Sequence, residues 1–225
     1  VRRGDFSGYR LDETVHTTEI REVNRGFNEM AAQLAKLEQD RVVMMAGLSH
    51  DLRTPLARLR LETELSVADL DARAHMSADI AQLDAIIDKF LDYARPHKAE
   101  LLPVALGDVV AASAYAFTDI PDMALKVQIE SGLFVLADPV ELGRIISNLL
   151  ENARRYGKSV DTGIAQISIA AVGRDKWVLI KIRDRGLGVA PEQLANLTQP
   201  FFRGEAARTA ANGAGLGLAI VDKTV

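Results

Sequence analysis

The sequence predicts a multidomain chain: a helical hairpin that forms a four-helix bundle as a dimer, then an α+β domain. Three observations carry that prediction. An apolar heptad seam runs through the first part of the chain, β-rich runs appear only beyond Pro96, and Asp138-Pro139 opens a well-patterned helix among them. A length of 225 residues suits one or two domains, at roughly 150 residues each.

The elements follow in order. Ile20, Val23, Phe27, Met30, Leu34 and Leu37 fall at steps of 3, 4, 3, 4 and 3, the a/d spacing of a helix that needs a partner helix. Helical character continues through Leu48, Leu52, Leu56 and Leu59, with Leu48 and Leu52 read as part of the core seam. The stretch 66–71 reads as a turn, and Ile80, Leu83, Ile87, Phe90 and Ala94 carry a second helix that Pro96 stops. One hairpin cannot enclose a broad apolar seam, whereas two make a four-helix bundle, so a homodimer is expected. Beyond Pro96, strands are predicted at Lys126-Val127-Gln128-Ile129, Gln166-Ile167-Ser168-Ile169 and Trp177-Val178-Leu179-Ile180-Lys181-Ile182. The last two are joined by a hairpin turn at Gly173-Arg174-Asp175. Helices are predicted over 107–117, 139–156 and from near Gly215, layered on one sheet. An acid N-cap followed by Pro at the first helical position makes Asp138-Pro139 a strong helix start.

Composition narrows the function. Hydrophobic residues make up 48% and charged residues 26%, so disorder is excluded as the dominant state. A net charge of −4 disfavours a strongly basic nucleic-acid binder. The absence of cysteine removes disulfides, zinc-thiolate sites and thiol catalysis together. No apolar run approaches the roughly 18–20 residues of a membrane helix. The opening Val1-Arg2-Arg3-Gly4 has neither an initiator Met nor a signal-peptide core, and reads as a piece cut from something longer.

His50 lies in Leu48-Ser49-His50-Asp51-Leu52-Arg53-Thr54-Pro55-Leu56. At about 100° per residue it is about 200° from both Leu48 and Leu52, so its imidazole points away from the seam. A plain surface histidine would do the same. Its neighbours argue for more: Thr54 shares its face at i+4, Asp51 can fix the ring tautomer, and Pro55 removes a backbone donor just beyond. The run resembles the H box of sensor histidine kinases. That resemblance implies that His50 accepts the γ-phosphoryl group of ATP. It makes Asp51 the general base or orienting acid, and Thr54 a positioner of water during dephosphorylation of the partner. His16, His75 and His97 are isolated and read as surface residues.

No Walker P-loop occurs. Gly213-Ala214-Gly215-Leu216-Gly217-Leu218 instead opens a helix whose N–H groups would face an anion, although a glycine-rich turn fits the same letters. Three companions bear on the choice. Asn148 and Asn152 are i and i+4 on one helix face, where amide oxygens suit a hard cation or phosphate-bound water. Asp184-Arg185-Gly186-Leu187-Gly188 follows a predicted strand, so a carboxylate at a strand end could accept from a purine amino group. Phe201 and Phe202 precede the soft stretch 205–211, which reads as a lid. A polar helix face, an acid-glycine turn and a loop are the ordinary alternatives.

In this order the four runs resemble the N, G1, F and G2 boxes of histidine kinases. That resemblance implies an α/β-sandwich ATP-binding domain of the gyrase, Hsp90, histidine kinase and MutL type. It also implies site roles. Asp184 contacts adenine, helped by Gly186 and Gly188. Asn152, with Asn148, holds Mg²⁺ and phosphates, and Arg155 and Tyr156 lie near the nucleotide. Gly213, Gly215, Leu216 and Gly217 line the triphosphate, and Phe201 and Phe202 brace the lid. Glu19-Ile20-Arg21-Glu22-Val23 and Phe27-Asn28-Glu29-Met30 resemble the second helix of a HAMP linker, and the H box with its continuation through Leu61 looks closest to EnvZ-type osmosensor kinases.

The expected division is a partial HAMP over 1–38, a dimerisation and phosphotransfer hairpin over 39–97, and a catalytic domain over 98–225 shortened at its C-terminal end. The expected activity is autophosphorylation of His50, transfer to an aspartate of a response regulator, and regulator dephosphorylation. Arg95-Pro96-His97 would act as a hinge. The setting would be the cytoplasmic portion of a bacterial inner-membrane protein, with no nucleic acid and membrane contact only through upstream segments. Two rivals are a related ATPase switch, which would hydrolyse ATP without His50, and a non-enzymatic dimeric scaffold, which would not bind Mg²⁺-ATP.

Overall fold

The computed structural model describes residues 10–14, 17–94, 100–204 and 214–224. The chain divides into two compact units, Val1–Pro96 and His97–Val225.

In the first unit, α1 (Thr18–Ser66) runs unbroken through Pro55, and α2 (Leu70–Ala94) returns against it. Asp69 starts the return, its Oδ1 accepting from the Ala72 N–H at 2.8 Å. Polar contacts fix the antiparallel register along the pair. Arg41 stacks over the Tyr93 ring at 5.9 Å, Arg53 reaches Asp84 and Asp88, and Ser77 donates to Glu64 at 3.1 Å. Residues 10–14 fold back along α1, where the Asn28 side chain accepts from the Leu11 N–H and donates to the Leu11 carbonyl.

The seam inside the hairpin differs from the expected one. Val42, Met45, Ser49, Pro55, Leu56 and Thr63 are the buried or half-buried positions along this part of α1. Leu48 and Leu52 stay 48% and 50% exposed, with Leu59 and Leu83 similarly open. Ser49 and Thr63 can be buried because each hydroxyl donates to the carbonyl four residues back, at 2.9 and 2.8 Å. The leucine stripe is therefore left on the outside of a single hairpin.

In the second unit, β1 (Leu102–Ala105) leads into α3 (Leu106–Tyr115), then β2 (Met123–Ile129), β3 (Phe134–Ala137) and α4 (Pro139–Tyr156). Next come β4 (Ala165–Arg174), β5 (Trp177–Arg183), the single-turn α5 (Pro191–Leu194) and α6 (Gly217–Thr224). β4 is central, parallel to β2 and antiparallel to β5. The β4–β5 turn comes later than expected: Gly173 and Arg174 still pair with Val178 and Trp177 in the ladder, and the chain reverses at Asp175, with φ 51°, and Lys176. Leu106, Val110, Ile146, Leu150, Ile167 and Ile169 form the core between α3, α4 and the inner sheet face.

One sheet was expected; the unit has a mixed three-stranded sheet and a separate antiparallel ribbon of β1 and β3. Both ribbon strands are four residues long, too short for a visible alternation, and Pro103 weakens the strand signal of β1. A two-stranded ribbon tolerates that proline because each strand has an edge that needs no donor. α4 keeps its expected bounds, and Asp138 Oδ1 accepts from the N–H groups of Val140 and Glu141 at 2.9 and 3.1 Å. Backbone N–H donation, led by Glu141, holds the Asp138 carboxyl below its usual range despite some desolvation.

Candidate functional site

His50 sits on α1 with its side chain 84% exposed. Its Nδ1 lies 3.3 Å from Asp51 Oδ1. With Nδ1 donating its proton to that carboxylate, the lone pair rests on Nε2, which points to solvent. Thr54 is on the same face, and its hydroxyl donates back to the His50 carbonyl at 3.4 Å. Beside the ring, Val42, Ala46, Ser49, Arg53, Leu91 and Ala94 line a cavity of about 270 Å³. Sequence reading overlooked the Arg53 clasp to Asp84 and Asp88; its signal is a pair of acids at i and i+4 on α2.

In the second unit, α4 carries Asn148 and Asn152 one turn apart. Asn148 is buried, and its Nδ2 donates to the Arg144 carbonyl at 3.0 Å. Its Oδ1 faces the first turn of α6, 3.7 Å from where a Cβ on Gly217 would stand. Arg144 also donates to Thr224 at 3.3 Å, so α6 is tied along α4 at both ends.

The other end of α4 meets the Asp184 turn. Asp184 Oδ1 accepts from the Gly186 N–H at 2.9 Å, which sets the carboxylate at the mouth of the turn. A Cβ on Gly157 would stand 2.5 Å from Asp184 Cβ, and one on Gly186 would stand 2.7 Å from the Gly157 Cα and the Tyr156 carbonyl oxygen. Only glycine at both positions lets the helix end touch the turn. Gly157 was passed over in the sequence, although it closes the Asn-rich run, because its contact is distant along the chain. Gly188 has φ 75° and open space around it.

Phe201, Phe202 and Gly215 interlock. The Phe201 N–H donates to the Gly215 carbonyl at 3.0 Å. Gly215 has φ 69°, and a Cβ there would stand 2.8 Å from Phe202 O. Leu216 is buried. Gly213 and the stretch 205–211 lie outside the described residues, as do Arg95-Pro96-His97.

Arg155 and Tyr156 lie at the exposed end of α4. Arg155 Nε is 2.5 Å from Glu151 Oε1, and Arg154 contacts both Glu151 oxygens at 3.0 Å. Burial pushes the Glu151 carboxyl up, but the hydrogen bonds from the two arginines outweigh it and hold the carboxyl below its usual value. That contribution to stability is present above the ordinary glutamate range and fades as pH falls through the lowered value. Among the described residues no cluster of three His, Asp or Glu side chains could hold a metal. A cation here would rely on amide oxygens and ligand phosphates, which suits magnesium.

Residues 40–98 match the His Kinase A (phospho-acceptor) domain, and residues 137–225 match the histidine kinase-, DNA gyrase B- and HSP90-like ATPase family. The chain belongs to the sensor histidine kinase family. Sensor protein RstB of Escherichia coli K12 is 31% identical over 235 residues, covering 96% of this chain and 51% of RstB. Signal transduction histidine-protein kinase BaeS of the same organism is 33% identical over 230 residues, covering 96% of this chain and 48% of BaeS. The chain thus spans about half the length of these relatives. The RstB match agrees with the EnvZ-type likeness of the H box. Full-length ShkA in complex with AMPPNP is 26% identical, with a TM-score of 0.62 over 80% of this chain and 40% of that one. Among the described residues no helix is long and apolar enough to cross a membrane.

Proposed function

We propose that this sensor histidine kinase chain autophosphorylates His50 from ATP and passes the phosphoryl group to an aspartate of a response regulator. The observation that carries the reading is His50 itself, exposed and with Nδ1 tied to Asp51. Its Nε2 attacks the γ-phosphorus in line, the bond to the β,γ-bridging oxygen breaks, and ADP leaves. Asp51 steadies the ring as it becomes cationic. Catalysis is mainly positioning and charge neutralisation.

ATP occupies the region bounded by the Asp184 turn, the Asn148–Asn152 face of α4 and the Gly215–Gly217 entry to α6. Asp184 receives the adenine amino group, with Gly186 and Gly188 shaping the turn. The α6 N-terminus, reached through Gly213, Gly215, Leu216 and Gly217, holds phosphate. Arg155 and Tyr156 flank the nucleotide, and Phe201 and Phe202 brace the segment that follows them. Asn152, with Asn148, would hold Mg²⁺, which supplies neutralisation of phosphate charge. The ShkA complex with AMPPNP supports the nucleotide reading. Thr54, a turn from His50, positions water when the regulator is dephosphorylated.

We also propose the division 1–38, 39–97 and 98–225, with the first segment a partial HAMP helix and the chain on the cytoplasmic side of a bacterial inner membrane. The functional unit is a homodimer. The exposed stripe of Leu48, Leu52 and Leu59 with Leu83 supports it, since a second hairpin would cover it. Leu52→Lys is expected to turn a dimer into a monomer in light scattering; an unchanged dimer contradicts the bundle.

The activity is tested by incubating the chain with Mg²⁺ and γ-labelled ATP. Acid-labile, alkali-stable label on the protein is expected. Acid-stable label would contradict phosphorylation of a histidine, and hydrolysis with no label would favour the ATPase-switch reading instead.

A further inference from the structure

Among the described residues, α3 and α4 cover one face of the three-stranded sheet and no helix covers the other. Strand register identifies what the other face carries. Lys126 pairs with Ser168 and Ser168 with Arg183, Gln128 with Ala170 and Ala170 with Lys181, Val172 with Leu179, and Arg174 with Trp177. Paired residues project to the same side of a sheet, so these form one surface. The inward rows, such as Leu125 with Ile167 and Ile129 with Ala171 and Ile180, are the core.

The outer surface is both basic and apolar. Lys126, Arg174, Lys181 and Arg183 all lie on it, exposed, and among the described residues none forms an ion pair. No acid occupies a paired position there. The acids at its margin are Asp175 in the β4–β5 turn, beside Lys176, and Glu130, whose Oε2 already accepts from the Gly173 N–H at 2.9 Å; at the opposite end they are Asp122, paired with Lys158, and Asp184, whose Oδ1 accepts from the Gly186 N–H. At the turn end, Trp177 is 80% exposed, with Leu179 and Val172 next to it. The chain as a whole is acidic, with a net charge of −4, so this concentration of cations is local.

We propose that this sheet face docks the second unit on an anionic phospholipid surface. An exposed Trp with aliphatic neighbours sits at headgroup depth, half in the acyl boundary and half wet, while flanking Lys and Arg reach lipid phosphates. An acidic protein surface would match the cations but offers less to an unpaired Trp at a hairpin tip. The docking needs neither nucleotide nor His50, so it stands or falls separately from the kinase reading.

Trp177 is the single tryptophan of the chain, which makes it a direct probe. The full chain, without nucleotide, is titrated with vesicles of phosphatidylcholine alone and of phosphatidylcholine with one third phosphatidylglycerol. Emission of Trp177 and co-sedimentation are followed together. A blue shift and sedimentation are expected only with the anionic vesicles, weakening as salt shortens the Debye length. Each cation removed should cost about fivefold in binding, so Lys126→Gln with Lys181→Gln should lose about 25-fold. Trp177→Ser should weaken sedimentation as well. All three positions are exposed, and circular dichroism confirms that the variants fold. Equal binding to both vesicle types, no binding to either, or undiminished sedimentation of the double variant would overturn the proposal. Binding to polyglutamate but not to vesicles would overturn it too, and assign the face to an acidic protein.

Discussion

Asp184→Asn is expected to weaken ATP binding roughly 10- to 100-fold, the value of one hydrogen bond to a charged group. The substitution is chosen because it should leave the turn intact. Asp184 Oδ1 accepts from the Gly186 N–H at 2.9 Å, and an asparagine oxygen can accept the same bond. What changes is the charge and acceptor capacity at the exposed oxygen, which is where an adenine amino group would donate. Calorimetry with ATP reads the loss, and an unchanged melting temperature shows that the fold was not the cause. Affinity equal to that of the parent chain would remove Asp184 from the nucleotide site.

Gly186→Ala is expected to act through packing. Its Cβ would stand 2.7 Å from the Gly157 Cα and the Tyr156 carbonyl oxygen, both backbone atoms that cannot swing aside. The helix end and the turn must separate, at a cost of about 1–3 kcal/mol as for other overpacked sites. Because that junction sets the distance between Asp184 and α4, nucleotide binding should fall along with stability. Gly188→Ala is the informative comparison. Nothing lies within 4 Å of its added Cβ, but its φ of 75° strains any other residue, by about 1–2 kcal/mol. Gly188→Ala should therefore destabilise without parting α4 from the turn, and a thermal melt with an ATP titration separates the two. Equal loss of binding in both variants would contradict the junction argument.

What the sequence made legible was local. α4 was readable because Asp138 and Pro139 mark its start and the asparagines repeat at helical spacing, and the structure keeps those bounds. His50 is exposed as expected, although the expectation was measured from a seam of Leu48 and Leu52 that the single hairpin does not bury. Placement beyond one element was harder. Leu48 and Leu52 were assigned to a core seam, yet in a single hairpin buried Ser49 and Thr63 take the inner positions and the leucines stay outside. The pattern identified apolar residues but not which of two neighbours each would face. The β1–β3 ribbon was not legible because its two strands of four residues have no period to detect. Gly157 and Gly186 meet only in the folded chain, so neither letter declared the contact. Each nucleotide motif alone had an ordinary alternative, and only their order along the chain carried the resemblance; that α4 touches both the Asp184 turn and α6 is a tertiary fact.

The central claim is that a phosphoryl group from ATP ends on the Nε2 of His50. The most direct test compares the parent chain with His50→Gln in Mg²⁺ and γ-labelled ATP, with calorimetry confirming that both bind nucleotide. Acid-labile, alkali-stable label on the parent and none on His50→Gln is the predicted result. Equal labelling of the two proteins would contradict the account.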